Sequence, residues 1–451
     1  MIGEYILTER RIPLSGAWDV IVAGGGPAGC AAAAAAARGG MKVLLLEATG
    51  ALGGMGTSGL VPAWCPFSDN KTMIYRGLAE TVFNLCKAGM PHVAKDALNW
   101  VPIDPELLKR IYDDLVTGAG AEILFNSSVC AVEMEGDNLS TVIVSNKAGL
   151  TAYKADVFID CTGDADLAAW AGVEFHKGDP VTHELAPVTH CFILANVDEY
   201  GYRTGPRFHA GNKASPVYDI LASGKFPHIK DVHSCNNLIG PGTVGFNSGH
   251  IWDVDNTDPL SISKGLIEGR KIALDFQRAL AEYMPKAYAN AFLVATGSLI
   301  GARETRRIVG DYVLVADDYI ARRSFPDEIG RNAYYMDIHY SVEEAKAALA
   351  GKLDDAARCK RMAPGESHGI PYRCLTPKGV RNLLVAGRAV SCDRSVQGSV
   401  RVMPVCLVMG EAAGAAAAQA VRNSAGDVHA IDTQALRSTL KEHGAYLPDA
   451  G

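Results

Sequence analysis

Three glycines, Gly24, Gly26 and Gly29, follow the apolar run Trp18 to Ala23, and a run of alanines follows them to Arg38. This spacing does chemistry with backbone rather than side chains. Gly24 permits a tight turn, Gly26 lets a pyrophosphate approach the main chain, and Gly29 lets a helix pack closely on a strand. The β-branched run reads as a buried parallel strand. Pro27 and Ala28 open the helix, which Gly39 and Gly40 end. Its first amides and the positive end of its dipole would face the phosphates. A second strand, Met41 to Leu46, ends in Glu47, about twenty residues on, where an acid bonds ribose hydroxyls. Strand, helix and acid together predict a dinucleotide site. Gly240, Gly242 and Gly245 in LIGPGTVGFNSGH spell the same pattern without those supports and read as loop.

A second glycine-rich stretch follows the acid: Gly53, Gly54, Gly56 and Gly59, with Met55 and Thr57 among them. A simple NAD domain has no need of it. FAD does, because its ribityl chain and ring run on past the pyrophosphate. The interleaved Leu52, Leu60, Val61 and Trp64 argue against an exposed loop. Trp64 reads as a core residue or as a cover for the ring. No histidine or cysteine is positioned for a covalent flavin link, so the FAD is expected to be noncovalent.

Beyond these motifs come IDPELLKRIYDDL (Ile103–Leu115), FIDCTGDADLAAWAG (Phe158–Gly172), ARETRRIVGDYVL (Ala302–Leu314), YYMDIHY (Tyr334–Tyr340), GIPYRCLTPKGVRNLLVAGRAVS (Gly369–Ser391) and SVRVMPVCLVMGEAAGAAAA (Ser399–Ala418). In this order, over nearly the whole chain, the set resembles the FAD-dependent oxidoreductases of the glutathione-reductase-like fold, in particular the group sharing the FAD domain of heterodisulfide reductase. The resemblance implies an α/β chain: a Rossmann-like FAD-binding domain of glutathione-reductase type with an inserted α+β substrate domain. Residues 1–175 form the first part of the FAD domain, 176–295 the substrate domain and 296–451 the second part, with a return segment near 311–365 assignable to either. It further implies that Val129, in a strand Glu122 to Val132, meets the adenine through its backbone. Thr162, Gly163 and Asp164 would lie by the adenosine-pyrophosphate half. Gly387 and Arg388, at the end of the strand Asn382 to Val390, bring the chain back to the flavin, and Val402 and Met403 stand where the last small-residue helix begins. Two departures limit the likeness. The cysteines of iron–sulfur clusters are absent, and so is a second nucleotide site, so NAD(P)H oxidation in the glutathione-reductase manner is not expected.

That last helix is read as starting at Pro404, a residue suited to the first turn. Its free amides would face the flavin's pyrimidine edge and favour negative charge there. Gly410, Gly414 and the alanines let it bury itself against the first helix.

Candidates for the reaction lie where these segments return. Asp337 and His339 share one face if extended and could form a carboxylate–imidazole pair, with His339 as general base; a structural hydrogen bond is the plainer alternative. Tyr372 and Arg373 follow a proline turn. Arg303, Arg306 and Arg307 cluster around Glu304, and Arg401 precedes the helix. Of these His339, Tyr372, Arg303 and Arg401 are the catalytic candidates. Six histidines from His183 to His250 fall in the inserted region, which reads as strand-rich, but they show no ligand spacing, so no metal is expected.

The whole-chain properties bound these readings. The sequence has 451 residues, 48% hydrophobic and 21% charged, with a formal charge of -7 and no basic stripe, which excludes nucleic acid as a partner. No apolar run reaches a membrane span, the N-terminus is too charged for a secretory signal, and eleven cysteines stand singly. A cytoplasmic enzyme is expected, acting on a small-molecule substrate, with its electron acceptor left open. Size and fold are compatible with a homodimer. The leading activity is hydride transfer from a CH–OH group to flavin N5. Rivals are reduction of an activated C=C bond with an arginine as acid, flavin-dependent hydroxylation, and a flavin electron-transfer protein with no substrate chemistry.

Overall fold

A computed structural model describes residues 9–339, 341–344 and 360–448. The main sheet has the order β3 (Glu122–Leu124), β2 (Val43–Leu46), β1 (Leu14–Ala23), β6 (Gly149–Asp160), β5 (Asn138–Asn146), β4 (Ser128–Glu135), and β15 (Leu383–Val385) also pairs with β6. Strands β1, β2, β3, β6 and β15 are mutually parallel, and β4, β5 and β6 form an antiparallel meander. The parallel strands are buried on both faces, which is why Val20–Val22 and Val43–Leu46 are unbroken apolar runs. The expected strand Glu122 to Val132 is split into β3 and β4, because Asn126 turns the chain at φ 51. The strand expected over Asn382 to Val390 is only β15 long, and a turn at Gly387, φ 105, takes its second half.

One face of this sheet carries α1 (Pro27–Arg38) and the alanine-rich helix Met403–Asn423, which begins one residue before Pro404. A Cβ on Gly410 would overlap the carbonyl oxygen of Ala28, and one on Gly414 that of Ala32. The two helices therefore touch backbone to backbone, and nearly every residue of both is buried. By length and composition Met403–Asn423 could cross a membrane, contrary to the expectation that no run would, yet its apolar stretch is 89% buried inside the protein. Its one acid, Glu411, accepts the Leu78 amide at 2.8 Å and so caps α2 (Leu78–Ala88). Burial pushes the Glu411 carboxyl up to about 7 against that hydrogen bond.

The inserted region forms a second antiparallel sheet, ordered β11 (Phe292–Thr296), β8 (Phe192–Ala195), β10 (Thr243–Ser248), β9 (Ser234–Gly240). The stretch read as a glycine loop is thus the β9–β10 hairpin, turned at Pro241 and Gly242. Helical periodicity reads as poor here, yet a 25-residue helix, Pro259–Tyr283, lies under the sheet. Its pattern is diluted because glycines make part of the contact: a Cβ on Gly269 would overlap the His190 side chain. Phe276 stacks on Phe192, itself stacked on Phe246 at 4.8 Å. Strand β7 (Phe175–Lys177), at the way out to this region, pairs with β12 (Arg306–Ile308) at the way back. The return segment joins the core of the first sheet through Leu314, Tyr319, Phe325, Ile329, Tyr334 and Met336, and its β13 (Glu328–Asn332) pairs with β14 (His368–Pro371). Tyr340 and residues 345–359 of that segment lie outside the described residues.

The helix contact can be tested at two positions. Gly410→Ala should force α1 off its partner, lower stability by about 1–3 kcal/mol and reduce bound flavin per protein, read by thermal unfolding and absorbance. For Glu411 the folded pKa is raised, so its contribution is present at acid pH and is lost as pH rises through about 7. Glu411→Gln keeps an acceptor for Leu78; its stability advantage over the parent in thermal unfolding should be absent at about pH 4 and below, and grow between about pH 4.5 and 7 to at most about 3 kcal/mol.

Candidate active site

The glycine segments converge at the start of α1. Gly24, at φ 93, presses on Cys161 and Thr162 beyond β6, and a Cβ at Gly29 would overlap the Gly24 carbonyl. Gly26 faces open space: a Cβ there would meet nothing within 4 Å. Glu47 accepts from the Gly25 and Thr49 amides at 2.6 and 2.7 Å, so the acid also fixes the phosphate turn. Gly53 donates to the Gly25 carbonyl at 2.7 Å, which lays the second glycine loop on the first. Within that loop Thr57 Oγ1 donates to Leu52 O at 2.6 Å, Val61 N donates to Met55 O at 2.9 Å, and a Cβ on Gly54 would stand 3.1 Å from Gly26 Cα. A Cβ on Gly56 would reach Met403 Sδ at 3.3 Å, so the loop meets the start of the alanine-rich helix, which Val402 precedes. Val129 is the second residue of β4, two after Ser127, whose amide donates to Glu47 O at 3.0 Å.

These residues fit FAD on two observations. Helix α3 (Pro105–Gly118) and the helices Pro216–Ser223, Pro259–Tyr283, Arg394–Val400 and Thr433–Glu442 are each capped by an Asp or Ser side chain. Helix α1 and Met403–Asn423 begin with no side-chain cap, leaving amide donors for a ligand. Arg388 is the second. Its Nη2 donates to Asp164 at 2.7 Å, beside Gly163, while its buried Nη1 has no partner among the described residues. Asp164 is less free than the resemblance implies, since it also accepts from Thr305 and Asn256 at 2.6 Å each. Thr162 bonds Asp160 at 2.7 Å and shapes the turn. Gly387 passes Ala28, a Cβ there standing 3.3 Å from the Ala28 Cβ.

The catalytic candidates separate. Tyr372 is buried and donates to Val428 O at 2.7 Å, beside a cavity of about 400 Å³ shared with Arg373, Asp327 and His429. No residue of the imidazole cluster described below lines that cavity, so Tyr372 stands apart from the other catalytic candidates. Arg373 pairs with Asp327 at 2.9 Å, Arg306 with Asp166 at 2.8 Å, and Arg307 with Glu304. Trp64 is fully buried edge-on to Phe67 and Phe83, a core residue.

His339, Asp337, Arg401 and Arg303 come together. Arg401 Nη2 donates to Asp337 Oδ2 at 3.0 Å, Tyr334 OH donates to the same oxygen at 3.3 Å, and His339 Nε2 lies 3.3 Å from it. Segment 333–339 is irregular rather than a strand, and the facing of Asp337 and His339 comes from this shared pairing. Arg303, 7% exposed, donates to Pro187 O at 2.6 Å and Thr189 Oγ1 at 3.0 Å, with His233 Nε2 at 3.3 Å. Burial, then the neighbouring Arg401, lowers its pKa to about 10.

Two histidines that spacing does not single out complete the cluster. His250 Nε2 meets His339 Nδ1 at 2.9 Å, its Nδ1 meets Asp231 Oδ2 at 2.5 Å, and His233 stacks on it at 4.1 Å. The signal for them is the hairpin: β9 and β10 pair Ser234 with Ser248, so His233 and His250 stand at its open end. Burial first, and the nearby cations, lower the pKa of all three imidazoles, that of His339 to about 3. Burial alone would raise the Asp337 carboxyl, but His339, Arg401 and Arg303 together hold it well below its ordinary value. One nitrogen from each histidine lies within 4.8 Å of the others. Two of the rings bond to each other, however, and a guanidinium faces the third, so the set is committed to hydrogen bonds rather than to a cation.

The fold and this cradle define a flavoprotein of the Rossmann type. The model of the family described as FAD dependent oxidoreductase matches residues 19–440, and the chain belongs to that family; its cofactor is FAD. No curated protein matches it. Among solved structures it is similar to a geranylgeranyl bacteriochlorophyll reductase-like protein from Thermoplasma acidophilum, at 13% identity over 95% of this chain and 84% of that one, TM-score 0.46. The flavin-dependent brominase Bmp2 matches at 13% identity over 95% and 83%, TM-score 0.47. The aromatic hydroxylase CabE matches at 16% over 65% and 54%, TM-score 0.39.

Arg388→Met should weaken FAD binding about tenfold to a hundredfold, the loss of one or two charge-assisted hydrogen bonds, while Arg388→Lys loses less. Titration of deflavinated protein with FAD, followed by flavin fluorescence, measures both.

Proposed function

We propose that the enzyme oxidises a CH–OH group of a small polar substrate, with His339 taking the hydroxyl proton. The observation that carries this reading is His339 Nε2, held 3.3 Å from Asp337, which also pairs with Arg401, two residues before the helix whose uncapped start would face the cofactor. Bound FAD supplies a hydride acceptor at N5. The protein's own part is the proton. His339 accepts it, Asp337 stabilises the imidazolium that forms, and Arg401 with Tyr334 holds Asp337 in place. Val402, Met403 and the amides after them would hold the flavin edge where negative charge gathers.

A second reading, reduction of an activated C=C bond, draws on Arg303. Its acidity is raised by burial and by Arg401, the direction a proton-donating arginine needs.

Anaerobic mixing of the FAD-loaded enzyme with alcohols, sugars and hydroxyacids, followed near 450 nm (about where oxidised flavin absorbs), decides between them. Bleaching by one donor class supports oxidation, and His339→Gln should then slow it about 10²–10⁴-fold at unchanged flavin content. Because His339 is held near 3, the bleaching rate should stay flat from pH 5 to 8 (an ordinary imidazole base would lose rate below about 6.5). No bleaching by any donor, with reduced enzyme reoxidised by an enone, would overturn the oxidation reading in favour of the second.

A further inference from the structure

We propose that His250 is a proton-relay residue, carrying the proton that His339 receives outward to a solvent cavity along the series Asp337, His339, His250, Asp231. The inference rests on the reading of His339 as the base. Its own support is a count of protons. The series has three contacts: 3.3 Å between Asp337 and His339, 2.9 Å between the two rings, and 2.5 Å between His250 and Asp231. Each contact needs one proton to be a hydrogen bond, and two neutral imidazoles bring only two. One contact is therefore a lone pair facing an acceptor. The longest of the three identifies it as His339 Nε2 against Asp337 Oδ2, whose own needs Arg401 and Tyr334 already meet. This places both ring protons on Nδ1, pointing away from Asp337 and toward Asp231.

A third proton arriving at His339 Nε2 completes the series. The substrate O–H bond breaks and the Nε2–H bond forms. The Nδ1 proton of His339 then passes to His250 Nε2, and the Nδ1 proton of His250 passes to Asp231 or to water. One proton enters and one leaves, and no electrons move along the path. His250 is suited to the outer step because it lines a cavity of about 690 Å³ with Lys230, Asp253, Asp258, Lys264 and Glu268. Facing it inside are Asp231, the stacked His233, the Trp252 ring at 5.6 Å, and His339, with Arg303 and Asp337 beyond. Buried Arg303 disfavours a lingering imidazolium on either ring, so the third proton is passed on rather than stored.

The test starts without substrate. In FAD-loaded enzyme labelled with ¹⁵N-histidine, NMR near pH 7 should show His250 and His339 both protonated on Nδ1 with bare Nε2, and His250→Gln should move the His339 proton to Nε2, facing Asp337. An Nε2–H on His339 in the unmodified enzyme, or a tautomer untouched by His250→Gln, overturns the relay. The second arm uses whichever alcohol, sugar or hydroxyacid bleaches the flavin, with a pH-indicator dye in the stopped-flow mixture. His250→Gln should delay proton release roughly tenfold or more behind bleaching, and added imidazole should restore it; release that keeps pace with bleaching overturns the proposal. If no donor bleaches the flavin, the oxidation reading fails while the tautomers still decide the relay.

Discussion

The contact on which the rest depends is the approach of α1 to the alanine-rich helix, backbone against backbone at Gly410 and Gly414. Ridge-and-groove packing with larger side chains holds helix axes at about 8–10 Å; removing the side chains lets these two come closer. The consequence is positional. The helices come from opposite ends of the chain, and pressing them together brings two uncapped N-termini to the same pair of glycine loops, which would hold the cofactor. One belongs with the phosphate turn at Gly24–Gly29, the other follows Arg401 directly. A longer side chain at either glycine would separate the pyrophosphate end of the site from the reacting end. The small-residue sequence of both helices is therefore a requirement of the site as much as of the core.

Charge is distributed unevenly around that contact. Asp337 is ringed by donors, whereas Arg303 is surrounded by neutral acceptors, Pro187 O, Thr189 and His233. A buried guanidinium held only by neutral groups is costly, and it biases everything nearby toward fewer protons. The three imidazoles feel this as lowered proton affinity, and Asp337 as a carboxyl that stays ionised despite its burial. Burial and the arginines act in the same direction on the histidines but in opposite directions on the aspartate. The result is a neutral imidazole beside an ionised carboxylate.

How much of this is legible in the sequence follows from how local each feature is. The strand, glycine turn, helix and acid of residues 18–47 are contiguous, and each has its own backbone reason, so the cradle can be read in order. Glu47 bonding Gly25, and Gly53 bonding the same residue, are short-range consequences of that pattern. The β9–β10 hairpin hides behind glycines that match a phosphate spelling, although Pro241 and Gly242 mark a turn between two alternating strands. The helix Pro259–Tyr283 is obscured because Gly265 and Gly269 occupy positions where a larger apolar residue would have marked its buried face. Tyr372 looks available after its proline turn, but direction is decided by packing, and its hydroxyl is turned to Val428.

The imidazole cluster cannot be read from spacing, because it is assembled at a seam. His233 and His250 arrive from the inserted sheet, Asp337 and His339 from the return segment, and Arg401 from the entry to the last helix, while Ser298, just beyond the inserted region, bonds Ser58 of the glycine loop at 2.8 Å across the same junction. Neither core can absorb these polar groups by itself, since each would leave unmet donors and acceptors in apolar surroundings. Only where the two cores meet can the groups satisfy one another, and with two protons for three contacts they do so incompletely. That deficit is stable because removing any one member would expose a buried partner at greater cost than the missing proton. A seam of this kind holds a buried polar series together with no metal-ligand spacing or local motif to announce it, which is why the fold is readable from the chain and the cluster requires the assembled structure.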